Sequence, residues 1–141
     1  MRNKQELTKL VEPETREFKD GQYKTDFNLP LPGVSLLLIC RKSDKKPARV
    51  TGLQAKKYEG ILKEKEEIYL SWNPINSKYI KTYEILYAKK PGDKFIRINQ
   101  ADLIDHSFIH LRESQNKQAC YKVIAVDYWG RKGKASEIIK V

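Results

Sequence analysis

The side chains best suited to binding chemistry lie near the end of the chain, in the segment DYWGRKGK. Arg131, Lys132 and Lys134 place three cations within four residues, and Tyr128 and Trp129 directly precede them. Cations attract sulfate, carboxylate and phosphate groups, and aromatic rings can stack on a sugar or a base. These residues therefore indicate either a contact with a polyanion or a solvated basic turn whose tryptophan packs against a neighbouring domain.

A catalytic or metal-binding set of residues is not evident elsewhere in the sequence. Glu64, Glu66 and Glu67 alternate with lysine in KEKEE, a pattern typical of a solvated charge run. His106 and His110 would lie about 13 Å apart on one face of a strand, too far to share a metal ion by themselves. We therefore predict no catalytic residue, no metal site and no cofactor in this chain.

The 141 residues have a globular composition and a strongly basic balance. Charged residues make up 33% of the chain, hydrophobic residues 40%, and the formal net charge is +10. Such a surface favours polyanions in general. No apolar run approaches the roughly 20 residues that span a bilayer, and the start of the chain, MRNKQELTKL, lacks the apolar core of a signal peptide. We predict neither a membrane partner nor a signal peptide.

Short alternating segments dominate the chain after its first third. They recur about every ten residues and are separated by turn residues such as Pro91 and Gly92, the pattern of an antiparallel sandwich of the immunoglobulin or fibronectin type. We predict seven strands, at residues 50–55, 67–72, 82–88, 94–99, 106–111, 119–127 and 136–141. The alternation also predicts a core that includes Trp72, Tyr83, Tyr121, Val123 and Ala125.

The first 45 residues lack this regular pattern of short alternating segments. Residues 5–12 could form a short helical turn that Pro13 stops, and residues 22–27 can be extended. Residues 34–40, VSLLLIC, are apolar enough for a strand that is buried on both faces. The polar stretch RKSDKKPAR that follows is interpreted as a linker.

The order of VTGLQA, LSW, YEILY and YKVIAVDYWG resembles that of a fibronectin type III module and covers nearly all of residues 48–141. The resemblance implies that Trp72 is the core tryptophan of the second strand and Tyr121 the corner tyrosine of the sixth. Both would then be structural residues.

A closer resemblance rests on AVDYWGRKG, with KTYEILY and LPLPGVSLLLICRKSDKKP upstream of it. Together these segments resemble the C-terminal region of the α-L-iduronidase glycosidases. Enzymes of that kind combine a catalytic (β/α)₈ barrel, a β-sandwich and a C-terminal fibronectin-like domain. The resemblance implies that residues 1–45 are a remnant of the preceding β-sandwich with its linker, and that residues 46–141 are the fibronectin type III-like domain.

The cysteines depart from that family. By resemblance, the counterpart of Cys40 pairs with a cysteine just ahead of the third strand, where this chain has Tyr79. Cys120 opens the sixth strand, on the order of 20 Å from that end of the sandwich at ~3.3 Å per residue. A disulfide needs Cα atoms within about 7 Å. We therefore predict that Cys40 and Cys120 are unpaired.

The resemblance implies a non-catalytic accessory domain. The catalytic glutamates of such glycosidases lie on the barrel, so the chain by itself is expected to be inactive. Its partners would be the barrel and sandwich of a parent enzyme that removes terminal α-L-iduronic acid from dermatan and heparan sulfate, in a lysosome or outside the cell. The basic turn could contact the sulfated glycosaminoglycan.

Two other hypotheses remain open. The chain could be a free-standing fibronectin type III adhesion or receptor-type module that binds sulfated glycosaminoglycans through its last hairpin. Nucleic-acid binding has only the charge in its favour, because no recognised motif accompanies it, and we do not expect it.

Overall fold

The computed structural model describes residues 12, 14–18, 20–26, 28, 33–35, 37, 39–41, 43–59, 65–113 and 118–141. The chain divides into two compact units, Met1–Ser43 and Asp44–Val141. None of the described residues belongs to a helix long and apolar enough to cross a membrane.

The second unit is a sandwich of two antiparallel sheets. One sheet has the order β1-β2-β5 and the other β4-β3-β6-β7. The predicted all-β, seven-stranded architecture is confirmed. The strands are β1 (Gln54–Glu59), β2 (Lys65–Ser71), β3 (Ile80–Ala88), β4 (Ile96–Arg97), β5 (Ser107–Glu113), β6 (Cys120–Asp127) and β7 (Ile139–Lys140).

The core lies between the sheets because alternate residues of each strand face inward. On β6 these are Tyr121, Val123 and Ala125, and β3 pairs with them so that Ile85 lies opposite Val123. Burial of such side chains is the main favourable term in folding a sandwich. The buried cluster consists of Val50, Ile68, Leu70, Trp72, Tyr83, Ile85, Tyr87, Ala119, Tyr121, Val123 and Ala125.

Strand ends differ from the predicted ends where a side chain or a glycine interrupts the ladder. Gly52 has φ +67°, and this left-handed conformation delays β1 to Gln54 although Val50 is buried. The hydroxyl of Ser136 accepts a hydrogen bond from the Val123 N–H at 3.0 Å. The Ser136 N–H still donates to the Val123 carbonyl at 2.9 Å, so the side-chain bond replaces one backbone bond of the ladder, and β7 covers only Ile139–Lys140.

Asn99 shortens β4 in the same way. Its side-chain oxygen accepts from the Ile85 N–H at 2.8 Å, and its amide nitrogen donates to the Tyr83 carbonyl at 2.9 Å. A side chain that satisfies the groups of β3 replaces the backbone of a longer β4. The strand therefore spans Ile96–Arg97 instead of residues 94–99.

The first unit departs further from prediction. None of its described residues belongs to a strand, so the predicted strand at residues 22–27 is not found over its described part. The buried strand predicted at residues 34–40 is wrong for the residues described there, because Val34, Leu37 and Ile39 are 92%, 56% and 61% exposed. An apolar run forms a buried strand only where neighbouring strands pair with it. The helical turn predicted at residues 5–12 lies, except for residue 12, outside the described residues.

Local side-chain contacts hold part of the first unit. The Tyr23 hydroxyl donates to a carboxylate oxygen of Glu14 at 3.2 Å, and the ring of Tyr23 contacts that of Phe18 edge-on at 5.6 Å. Arg16 forms an ion pair with Glu14 at 2.9 Å. These contacts are exposed and therefore contribute little stability.

Candidate binding surface at the β6–β7 turn

A buried carboxylate organises the basic turn, residues 128–134. Asp127 at the end of β6 is 1% exposed. One of its oxygens accepts from the N–H groups of Trp129 and Arg131 at 3.0 and 2.8 Å, and the other accepts from Arg131 Nε at 2.7 Å. Gly130, with φ +76°, supplies the left-handed residue that closes the turn. Three of the hydrogen bonds that hold the turn therefore depend on a single side chain.

The structure gives Arg131 a structural role. Its guanidinium contacts Asp127 and lies 5.0 Å from the centre of the Trp129 ring. Hydrogen bonds from a buried carboxylate and a cation–π contact hold the group in one place. Arg131 was predicted as a contact to a docking domain or a glycosaminoglycan, and here it braces the turn from within.

Trp129 also packs within its own domain. Its ring lies 5.6 Å from that of Tyr79, and 36% of the residue remains exposed. The backbone of the neighbouring Tyr128 donates to the Tyr79 carbonyl at 3.1 Å. Tyr79 stands where the family resemblance places the cysteine partner of Cys40, and Cys40 and Cys120 are both free thiols. Where the resemblance implies the cysteine partner of Cys40, this chain thus has a tyrosine that packs on Trp129.

The two lysines of the turn are placed differently. Lys132 Nζ donates to Glu84 Oε2 at 2.8 Å, and Arg97 approaches the other oxygen of this buried glutamate at 3.6 Å. Lys134 is exposed and has no hydrogen bond or ion pair to any residue that the structure describes. Of the three predicted contact cations, Lys134 alone presents a charge that no carboxylate of the described chain compensates.

Sequence reasoning missed the residues that face this turn. The Cβ that an alanine at Gly133 would carry lies 2.7 Å from the Pro47 carbonyl oxygen, so the turn and the segment 46–49 touch. That contact brings Lys46 and Arg49 beside Lys132 and Lys134. The available signal was the cluster KKPAR, which we interpreted only as a linker.

A second polar cluster lies inside the sandwich and corrects the interpretation of KEKEE. Glu66 is buried and its carboxylate contacts Arg112 on β5, with Arg112 Nη2 at 2.7 Å and Nε at 3.0 Å from Oε2. Lys57 on β1 reaches the other oxygen at 2.5 Å. Glu66 is therefore no part of a solvated run. The hydrogen bond from Lys57, supported by Arg112, holds the pKa of Glu66 below its usual value.

The alternation of side chains along β2 already indicated that Glu66 faces the interior. Ile68 and Leu70 face the core, and Glu66 lies two residues before Ile68 on the same face. Its partner Arg112 could not be recognised in the same way, because the pairing of β2 with β5 joins residues 46 positions apart. Arg112 also donates to the Gln118 carbonyl at 3.0 Å, which ties β5 to the start of β6.

His110 extends this cluster toward the core. Its Nδ1 lies 2.9 Å from the Tyr121 hydroxyl, and the Tyr87 ring meets the imidazole edge-on at 5.0 Å. By resemblance Tyr121 looks like a corner tyrosine, whose hydroxyl normally binds backbone, but here it contacts a side chain of β5. His106 is exposed and precedes β5, so the two histidines do not share a strand face. Among the described residues, no group of three or more potential metal ligands occurs.

The burial of His110 makes the free energy of unfolding depend on pH. Burial, with the positive charge of Arg112, lowers the pKa of His110 below its usual 6.5. The unfolded chain then binds a proton that the folded chain does not, so the free energy of unfolding falls as pH drops through about 6.5. The lowered pKa of Glu66 acts in the same direction only below 4.5. We expect His110→Gln to flatten the loss of stability between pH 7.5 and 5.5.

Urea unfolding at a series of pH values measures this effect. His106→Gln is the matched control, because it removes an exposed imidazole outside the cluster and should keep the wild-type slope. An unchanged slope in His110→Gln would assign the pH dependence to other groups.

Comparison with known proteins identifies the family. A family model described as the α-L-iduronidase C-terminal domain matches residues 61–141. The chain belongs to this family. The dog α-L-iduronidase is 30% identical over 115 residues, which cover 80% of this chain and 17% of the dog protein. The mouse enzyme is 29% identical over 83% of this chain and 18% of its own length. The chain thus spans about a sixth of these iduronidases.

Solved structures agree with the family assignment. A bacterial orthologue of human α-L-iduronidase is 28% identical with a TM-score of 0.58, over 71% of this chain and 16% of that one. A fibronectin type III-like protein from Clostridium thermocellum has a TM-score of 0.54 at 21% identity, over 68% of this chain and 92% of that one. The second likeness shows the fold alone.

Proposed function

We propose that this chain is the non-catalytic C-terminal accessory part of an α-L-iduronidase-like glycosidase, and that its sandwich docks on the catalytic part. The observation that carries the proposal is the family match over residues 61–141, together with the small share of each relative that the chain covers. In the parent enzyme, the catalytic barrel would hydrolyse terminal α-L-iduronic acid residues of dermatan or heparan sulfate, in a lysosome or outside the cell.

The domain boundaries belong to the same proposal. Residues 1–45 would be the end of a preceding β-sandwich and its linker, and residues 46–141 the fibronectin type III-like domain. The match to the dog enzyme extends over 115 residues, more than the unit Asp44–Val141 contains. Similarity to iduronidases therefore continues into the first unit, which supports assigning residues before Asp44 to the same parent enzyme.

The buried carboxylates support an inactive chain. A glycosidase of this class needs two carboxyl groups about 5–5.5 Å apart for retention, or about 6.5–9.5 Å apart for inversion, on either side of the bond that is cleaved. Glu66, Glu84 and Asp127 are buried, and each is held in an ion pair with a cation of the same domain. These three carboxylates are thus engaged in contacts that hold the domain together.

We propose that the outer face of the β1-β2-β5 sheet docks on the catalytic part. Tyr69 on β2 lies opposite Ile109 on β5, and Glu67 separates Tyr58 from Leu111 in the next row. All four apolar side chains are exposed although they lie on neighbouring strands. Exposed apolar side chains that adjoin on one sheet face, as Tyr69, Ile109 and Leu111 do, are typical of an interface. The occupant is the catalytic part, which would lie in the portion of the iduronidase relatives that this chain does not cover.

The test compares the isolated chain with the same chain joined to, or coexpressed with, the catalytic part from its own source. Ile109→Ser with Leu111→Ser should lower the melting temperature of the assembled enzyme and leave that of the isolated chain unchanged, because each side chain loses about 1.5–3 kcal/mol of burial only in the assembly. Trp129→Ala should lower both, since Trp129 packs on Tyr79 within the domain.

Ile96→Ser with Ile104→Ser is the matched control, because both residues are exposed and neither belongs to a strand of this sheet. Equal losses for the Ile109/Leu111 variant in both samples would show that the face does not dock. Hydrolysis of an α-L-iduronide by the isolated chain would contradict the accessory role itself.

We further propose that the domain contacts the polyanionic substrate. The excess of nineteen lysines and arginines over eleven acidic residues in residues 46–141 supports this part of the function.

A further inference from the structure

A basic groove runs between two segments that are distant in sequence. One wall is the segment that precedes β1, and the other is the end of the basic turn. The groove has a volume of about 480 Å³ and is lined by Lys46, Pro47, Ala48, Arg49, Lys132, Gly133 and Lys134. Gly133 makes the close approach of the two walls possible, since any Cβ there would meet the carbonyl oxygens of Pro47 and Ala48 at 2.7 and 2.9 Å.

The charges of this groove do not balance. Arg49 pairs with Glu137 at 2.5 Å, and Lys132 pairs with Glu84 at 2.8 Å. Lys46 and Lys134 are exposed and form no hydrogen bond or ion pair within the described part of the chain. Two ammonium groups without carboxylate partners thus line one depression, where they can neutralise an anion together.

Both walls are held in place. The backbone of Lys132 forms an isolated antiparallel β-bridge with that of Val126, and the Gly133 N–H donates to the Ala125 carbonyl at 2.9 Å. The turn is therefore anchored on β6. Arg49 Nε donates to the Ala135 carbonyl at 2.9 Å, which fixes the opposite segment to the chain that follows the turn. A ligand that enters this groove therefore does not have to order a loop, and that lowers the cost of binding.

The lining residues indicate the kind of anion. None of the seven is aromatic, whereas proteins that bind single-stranded nucleic acid use aromatic side chains on which bases stack. Trp129 contacts Tyr79 and Arg131 and does not line the groove. We infer that the groove binds a sulfate or carboxylate group of an anionic polysaccharide, with Lys46 and Lys134 as the main contacts. This names the site of the substrate contact proposed above and rests on that part of the function.

Binding of a heparin-derived hexasaccharide to the 141-residue chain, measured by calorimetry at 0.1 M salt, tests this inference. Lys46→Gln with Lys134→Gln should weaken binding about tenfold, because two exposed charge contacts are lost. Lys89→Gln with Lys90→Gln removes the same charge at the distant β3–β4 turn and should change the affinity less than twofold. All four lysines are exposed, so the melting temperatures should stay unchanged.

Two further ligands distinguish the chemistry. A non-sulfated oligouronate that also loses affinity in the Lys46/Lys134 variant would show that a carboxylate suffices, and binding of the sulfated ligand alone would assign the groove to sulfate. Equal weakening by both lysine pairs, tighter binding of single-stranded DNA, or no binding of either saccharide would overturn the inference. None of these results bears on docking, which the melting temperatures of the assembled enzyme measure separately.

Discussion

Replacing Arg112 with leucine should destabilise the sandwich by about 3–5 kcal/mol, the usual effect of removing one partner from a buried ion pair. The Arg112 side chain is 4% exposed and its guanidinium makes two contacts to Glu66 Oε2. Without it, the carboxylate of Glu66 stays buried with only Lys57 to compensate it, and the Gln118 carbonyl loses its donor. Urea denaturation at pH 7 measures the loss.

The double variant Glu66→Leu/Arg112→Leu is the control that separates charge from packing. Removing both partners leaves no uncompensated charge between β2 and β5, so most of the stability should return. A single Arg112→Leu variant within 1 kcal/mol of the wild type would show that solvent reaches Glu66. A double variant as unstable as the single one would show that the loss comes from other contacts of Arg112, such as its hydrogen bond to the Gln118 carbonyl.

Asp127→Ala should be the most damaging change in the basic turn, with a loss of about 3 kcal/mol. Three donors would lose their acceptor at once: the N–H groups of Trp129 and Arg131, and the Arg131 guanidinium. Since these bonds place Trp129 against Tyr79, the variant should also release the indole ring. Thermal unfolding follows the stability, and acrylamide quenching of tryptophan fluorescence follows the ring.

The quenching experiment is selective because the two tryptophans differ in exposure. Trp72 is buried in the core, and Trp129 is already partly exposed. Asp127→Asn is the conservative control, because its amide oxygen can still accept from the N–H groups of Trp129 and Arg131, which share one oxygen, while the charge that faces the Arg131 guanidinium is lost. Quenching that stays at the wild-type level in Asp127→Ala would mean that the Tyr79–Trp129 contact holds the turn without the carboxylate.

The ion pairs of the basic turn limit the positive charge that it can offer to a ligand. Arg131 and Lys132 are committed to Asp127 and Glu84, so a count of positive charges overstates what the turn offers to a ligand. The charges that remain available belong to Lys134 and to Lys46 on the facing segment. A polyanion would therefore meet the groove, and not the aromatic side of the turn.

Alternation along single strands allowed much of the sandwich to be predicted. Trp72 and Tyr83 lie in the buried cluster together with every second residue of β6 from Tyr121 to Ala125. Such positions can be recognised because side chains of a strand alternate between the two faces of a sheet, and that pattern is local. The same alternation, continued from Ile68 to the residue two positions before it, places Glu66 in the interior of the sandwich. Its charge led instead to the interpretation as a solvated run.

The sequence by itself determined the sheet-forming pattern, the basic balance and the resemblance to iduronidases, because each resides in neighbouring residues or in their order. Only the tertiary structure decided which charges meet. Glu84 reaches Lys132 across 48 positions, and Gly133 touches Pro47 across the fold. Such pairs depend on which strands become neighbours and in what register, and a single sequence carries no local signal for that choice. For this reason the partners of Arg131, Lys132 and Glu66, and the groove beside Lys134, became visible only in the folded chain.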